Sequence, residues 1–236
     1  ERFLSIADNI VVTSPNIRQK SKYLYQFREK CQVIPLGIDT SNLQKTDFGI
    51  LAEYDLPYEK TLLFVGRLCY YKGLEYLIRA MIDIEANLIV VGDGERREKL
   101  ERMCDDFGIK EKVIFTGTCG QVELNTWYSL CDVFLLPSVE VSEAFGLVQA
   151  EAMSFAKPVI NTDLPTGVPH VSLDGVTGLT VPPRDVEKLA AAITKLLNDE
   201  KLLQEYAGNA AQRVQDHFTL EKMLLSYDTL YRNLIQ

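Results

Sequence analysis

The sequence predicts an α/β fold, a doubly wound parallel sheet followed by C-terminal helices. Short apolar runs alternate with amphipathic segments along most of the chain. The runs are β-branched or aromatic and mostly bounded by Gly or Pro, as strands buried on both faces are. The strand–helix–strand repetition requires right-handed crossovers, and therefore parallel strands with helices on both faces. A chain of 236 residues with 47% hydrophobic and 25% charged residues can bury a core of this kind, which excludes disorder as its main state.

The strands are expected at Ile10–Thr13, Gln32–Pro35, Leu62–Val65, Leu88–Val91, Val113–Thr116, Val133–Leu136, Val159–Asn161 and Leu179–Val181. Helices are expected between them at Pro15–Phe27, Leu74–Met81, Glu95–Phe107, Val122–Leu130 and Phe145–Ser154. Three more follow at Asp185–Leu197, Lys201–His217 and Leu220–Leu234. Gly108 reads as a helix C-cap, and Asp185 and Thr219 as helix starts. Thr61 to about Asp216 forms the doubly wound unit. Residues 1–35 hold one helix end, a strand, a helix and another strand. Two strands cannot bury both faces alone. They either join the edge of the main sheet or end a second domain. A loop-like polar stretch runs from Leu36 to about Lys60.

The net charge of −8 argues against a nucleic-acid binder or a polybasic membrane-surface protein. No run of about 18 apolar residues is present to span a membrane. Five widely spaced cysteines without a Cys-x-x-Cys read as reduced thiols in a cytosolic chain. With two histidines, His170 and His217, a His-based metal site is not expected. The N-terminal ERFLSIADNIVV lacks the pattern of a signal peptide, and the missing initial Met points to an internal start or to a processed or excised fragment.

Three motifs bear on chemistry. In LLFVGRLCYYKG a strand ends at Val65, Gly66 turns the chain, and Arg67 and Lys72 precede a helix starting near Gly73. Two cations on such a loop suit a diphosphate; the plain alternative is two solvated loop charges. VGDGERREKL has Arg97 where a dinucleotide fingerprint needs a third Gly, so a tight turn with little direct chemistry is expected. In the third motif, Glu143 and Glu151 flank Phe145-Gly146-Leu147. Eight residues of helix would separate them by about 12 Å, too far to act on one atom. One acid can reach the sugar end of an extended nucleotide sugar and the other its ribose. The alternative is a helix N-terminal acid plus a surface Glu. Asn161-Thr162-Asp163 and Asp174–Leu179 read as structural turns, and His170 as a structural histidine.

Taken together, ADNIVVTSPNIRQK, VIPLGID, FVGRLCYYKG, LIVVGDG, VIFTG, DVFLLPS, SEAFGLVQAEAMSFAKPVI and DGVTGLTVPP resemble the retaining glycosyltransferases of the group 1 family, also called glycosyltransferase family 4. The resemblance covers essentially the whole chain. It implies the GT-B architecture, in which two Rossmann-like domains face each other and the C-terminal one holds a nucleotide-sugar donor. On that basis 1–38 is the end of the N-terminal acceptor domain, 39–60 a linker, 61–217 the donor-binding domain and 218–236 a crossover helix. Arg67 and Lys72, next to Gly66, would hold the diphosphate. Glu151 would bind the ribose hydroxyls, and Glu143 would sit by the transferred sugar. Backbone amides around Phe145, Gly146 and Leu147 would face sugar and phosphates, and Thr118 and Cys119 would lie by the base. Where many relatives carry Gly-Gly-x-Pro-Glu, this chain has Thr166-Gly167-Val168-Pro169-His170, and no contact is carried over to that loop.

The resemblance further implies transfer of a hexose, with retention, to a glycan or lipid-linked acceptor. No metal or other cofactor is expected. The context would be polysaccharide biosynthesis in the cytoplasm, peripheral to the inner face of a membrane. This part of the enzyme would bind donor and transfer sugar poorly on its own. The apolar face of the last helix would then be exposed and drive self-association. A nucleotide-sugar epimerase of the same architecture and a non-catalytic nucleotide-binding module are the alternatives.

Overall fold

The computed structural model describes residues 2–43 and 45–235. Residues 1, 44 and 236, the outer ends of the expected first and last segments and one linker position, lie outside it. Every expected strand is present, with ends that agree to within one residue except the end of β2, which falls two residues earlier: β1 Ile10–Val12, β2 Cys31–Val33, β3 Thr61–Val65, β4 Asn87–Val91, β5 Val113–Gly117, β6 Val133–Leu136, β7 Val159–Thr162 and β8 Gly178–Val181. The helices are α1 Arg2–Ile6, α2 Pro15–Lys20, α3 Leu74–Ala80, α4 Arg97–Asp106, α5 Gln121–Leu130, α6 Leu147–Ser154, α7 Val168–Val171, α8 Val186–Asn198, α9 Glu200–His217 and α10 Leu220–Ile235.

β3 to β8 form one parallel sheet in the order β5-β4-β3-β6-β7-β8. Both of its faces are covered. Leu62 and Phe64 of β3 point into a core shared with α3, α4 and α8, while Leu63 and Val65 point into one shared with α5 and α6. This alternation explains why β3 is apolar at nearly every position: a strand with two buried faces has no solvent side. α9 reaches both cores, with Leu203 and Tyr206 on the first and Ala210 and Val214 on the second. The strand order reverses between β3 and β6. In open α/β sheets that reversal opens a crevice at the carboxyl ends of the two strands, where ligands bind.

β1 and β2 pair in parallel with each other and form a separate sheet, so they do not join the main edge. Val12, Leu24 and Cys31 make a small core of their own. The helix expected over Pro15–Phe27 is shorter than that. α2 ends at Lys20, the Ser21 backbone turns to an extended conformation, and a 3₁₀ helix follows at Tyr25–Lys30. Tucking Leu24 into the small core requires that turn. Two other starts move inward: α4 begins at Arg97, not Glu95, and α6 at Leu147, not Phe145. The stretch after Leu36 contains 3₁₀ turns at Thr40–Leu43 and Phe48–Glu53, and its Ile50, Leu51, Tyr54 and Leu56 pack against the second core.

The expected caps are found. Gly108 is left-handed (φ 66°) at the end of α4, Asp185 accepts a hydrogen bond from the Lys188 amide at 3.0 Å, and Thr219 accepts one from the Lys222 amide at 3.4 Å. The chain crosses itself at the start of α10. Ile38 donates to the Phe218 carbonyl at 2.8 Å, and Leu220 donates to the Ile38 carbonyl at 2.9 Å. Leu224, Leu225, Tyr231 and Leu234 of α10 are exposed, and Leu230 is buried. Among the described residues, no helix is long and apolar enough to cross a membrane.

Candidate functional site

The loops after β3 and β6 meet at the point where the strand order reverses. The Val139 amide donates to the Tyr71 carbonyl at 2.7 Å. The approach is close enough that a Cβ on Gly73, at φ 72°, would lie 2.0 Å from the Pro137 carbonyl oxygen. Only glycine fits there. The first loop carries Arg67 and Lys72, and the second carries Ser138 and Glu143.

Across this seam Lys72 Nζ meets Glu143 Oε2 at 2.6 Å, with side chains only 9% and 10% exposed. Ser138 Oγ donates to the same carboxylate oxygen at 2.9 Å. Ser138 is itself fully buried, and its carbonyl accepts from the Thr162 hydroxyl. Lys72 folds back over Gly66, so a Cβ there would lie 3.4 Å from its Cε and Nζ. A buried ammonium and a buried carboxylate are tolerated because each neutralises the other.

Arg67 shares the loop with Lys72 but not its partner. It is 72% exposed and faces Glu95 Oε2, on the loop after β4, at 3.4 Å. The expected diphosphate pair is thus one buried and one solvated cation. The Gly-x-Gly motif in the loop after β4 serves packing: a Cβ on Gly92 would strike the Gly66 carbonyl at 2.1 Å, and one on Gly94 the Leu68 carbonyl at 2.5 Å.

Glu143 lies in a turn ahead of α6, so the two acids do not share a helix. Gly146 adopts a left-handed conformation (φ 74°) as the N-cap of α6, and the first amides of a helix lack intrahelical acceptors. The Phe145 side chain is buried edge-on against Phe218 at 5.9 Å, and its carbonyl accepts a buried hydrogen bond from Gln149 Nε2 at 3.2 Å. Leu147 is partly exposed. Gln149, on the first turns of α6, is held by Asn161 Nδ2 at 2.9 Å, and that amide also donates to the Val168 and Ser172 carbonyls. The Asn161 segment, read as a turn, is thus a buried polar brace for α6.

Glu151 is half-buried on α6, and its Oε2 accepts a hydrogen bond from the Tyr128 hydroxyl at 2.8 Å. Thr118 is exposed and Cys119 half-buried on the loop after β5, two places along the sheet from β3. Burial, and then the charge of Glu123, pushes the Cys119 thiol up to about 11. His170 is structural as expected. Its ring packs edge-on against Phe218 at 6.0 Å, and its carbonyl accepts from Arg213 at 2.6 Å. Burial first, then Arg213 and His217, lowers it to about 4.

Sequence reasoning named the two loops and both acids. It missed Ser138 as a partner of Glu143 and Tyr128 as a partner of Glu151. No local spacing signals either bond, because each joins separate elements of the fold. Among the described residues, no cluster of three or more His, Cys, Asp or Glu side chains is placed to hold a metal ion.

Known proteins resemble this chain in sequence and fold. The family model described as "Glycosyl transferases group 1" matches residues 53–213. O-antigen chain mannosyltransferase C of Escherichia coli is 32% identical over 236 residues, covering 100% of this chain and 63% of that protein. D-rhamnosyltransferase WbpZ of Pseudomonas aeruginosa is 32% identical over 219 residues, covering 92% of this chain and 57% of that protein. Among solved structures, sucrose-phosphate synthase from Thermosynechococcus elongatus superposes with a TM-score of 0.85 at 32% identity, covering 99% of this chain and 60% of that one. Anabaena HepE in complex with UDP-glucose shares the fold, with a TM-score of 0.81 at 24% identity over 96% of this chain and 64% of that one. The chain therefore spans about three fifths of the length of these relatives. The six-stranded sheet is the Rossmann-like unit of GT-B glycosyltransferases. With its family match over most of that unit and its relatives aligned along the whole chain, the protein belongs to the group 1 glycosyl transferases.

Proposed function

We propose that this chain is the donor-binding part of a retaining, family 4-type glycosyltransferase that moves a hexose from a nucleotide-diphosphate sugar to a glycan or lipid-linked acceptor. The observation that carries the reading is the buried Lys72–Glu143 pair, set between the loops after β3 and β6 where the strand order reverses. A site that holds a cation and an acid side by side, largely shielded from water, can bind the phosphate end of a donor and orient the sugar attached to it. The mannosyl- and rhamnosyltransferase relatives support a transferase over the epimerase and binding-module alternatives. The UDP-glucose held by the Anabaena fold relative is a ligand of the class proposed.

In this reading the bond between the anomeric carbon and the phosphate oxygen breaks, and negative charge builds on the departing diphosphate. Lys72, Arg67 and the first amides of α6 near Phe145, Gly146 and Leu147 stabilise that charge, and no cofactor takes part. Glu143 lies beside the transferred sugar, and Glu151 takes the ribose hydroxyls. The loop at Thr118 and Cys119 borders the base. Residues 1–38 close an acceptor-binding domain, 39–60 link it to the donor domain at 61–217, and 218–236 cross back toward it, leaving an apolar α10 face that associates with itself when uncovered. The enzyme works in the cytoplasm, at the inner face of a membrane.

Calorimetry on the whole protein with UDP, GDP and ADP tests the phosphate assignment. One of the three is expected to bind, and Arg67→Ala combined with Lys72→Met should weaken it by at least tenfold. Unchanged affinity in that double variant would show that the diphosphate lies elsewhere. Glu143→Ala should lower turnover more than donor affinity.

A further inference from the structure

Glu151 is held by a neighbour that nothing in its own segment announces. Its carboxylate projects from α6 and takes one hydrogen bond at 2.8 Å from the hydroxyl of Tyr128, which sits on α5. Tyr128 is fully buried. Its ring stacks on Phe155 (5.5 Å, 21° between planes) and packs against Phe134 at 5.9 Å, so the phenol has one orientation. Burial, followed by the charge of Glu151, keeps this phenol well above its usual range, so it remains an O–H and donates. A carboxylate has two oxygens and about four lone-pair sites. One fixed donor on Oε2 removes most of the torsional freedom of the glutamate and leaves Oε1 for a second partner.

We propose that Tyr128 is a positioning residue that fixes the Glu151 carboxylate for the ribose hydroxyls of the donor nucleotide, and so sets the preference for ribonucleotides over 2′-deoxyribonucleotides. This rests on the reading of Glu151 as the ribose ligand. A free glutamate on a helix samples several rotamers, and a hydroxyl contact made by a mobile acid loses affinity to the ordering it requires. The buried tyrosine supplies that order before the ligand arrives. A tyrosine that merely filled the core would contribute its ring alone, and its hydroxyl would be free to vary.

The experiment measures binding of UDP, GDP and ADP and of their 2′-deoxy forms to the whole protein by calorimetry. Tyr128→Phe keeps the ring and deletes the donor. It is expected to cut the ribo-over-deoxy preference by about five- to tenfold, with little change in affinity for the deoxy form. In a Glu151→Ala background the same change should have no further effect. Tyr128→Met, which fills the core without a hydroxyl, should lose the preference in the same way, and it serves if the phenylalanine variant does not fold. Equal weakening of ribo and deoxy forms by Tyr128→Phe, or a preserved preference, overturns the positioning role. A preference untouched by Glu151→Ala overturns the ribose assignment itself, and this proposal with it. Loss in Glu151→Ala alone, with Tyr128→Phe unaffected, overturns only the proposal.

Discussion

Replacing Lys72 with Met tests whether the buried pair with Glu143 governs stability. The thioether keeps the stem that lies over Gly66 and removes the ammonium. Glu143 is then left in a pocket where it is about one-tenth exposed, with Ser138 Oγ at 2.9 Å as its remaining donor at this seam. Breaking a buried ion pair from one side costs about 3–5 kcal/mol, because the stranded charge has lost water without compensation. The surviving serine bond, a contact to a charged group, places the expectation at the lower end, about 3 kcal/mol. Lys72→Met/Glu143→Gln removes both charges and should recover at least about 2 kcal/mol of the loss, the signature of direct coupling. Urea unfolding of the four proteins of this cycle gives the values. A Lys72→Met protein within about 1 kcal/mol of the parent would refute the reasoning, since a desolvated carboxylate does not lose its paired cation at so little cost.

Two further outcomes follow from the same structure. Gly146→Ala forces a left-handed alanine (φ 74°) and places a Cβ 2.6 Å from Leu136 Cδ2, so a urea melt should show a loss of about 1–2 kcal/mol, against none if the N-cap turn can relax. The unfolded chain protonates His170 near 6.5, whereas the folded protein keeps it neutral down to about 4; stability is therefore full above pH 6.5 and falls as pH drops from 6.5 to 4. Stability measured across that window should flatten in His170→Gln, and an equally steep fall in the variant would assign the effect to other groups.

Much of the fold was legible because fully buried parallel strands have no polar side to disguise them. LLFV and LIVV announce β3 and β4 through composition alone. The loop that follows β3 was legible as a site candidate because strand ends fix where ligands bind in such sheets. The pairings within the site were not. Lys72 and Glu143 are brought together by a crossover that spans three strands and the reversal of their order, and Tyr128 and Glu151 by two helices packed over one face. Sequence spacing carries no record of such contacts. α2 was overextended because Pro15–Phe27 holds helix formers with no breaker, yet α2 buries no residue of its own, and the small core drew Leu24 inward.

The two cations of the loop after β3 respond to their surroundings in different ways. Added electrolyte weakens interactions of solvated charges over a Debye length of about 8 Å in physiological salt, and leaves enclosed ones largely untouched. Arg67, open to solvent, belongs to the first kind, and in the proposed donor-binding role its pull on an anionic ligand would fade as salt is added. Lys72, shut in with its acid, holds its grip in brine and dilute buffer alike. If both bind the donor as proposed, capture speed and final tightness are divided between side chains five residues apart.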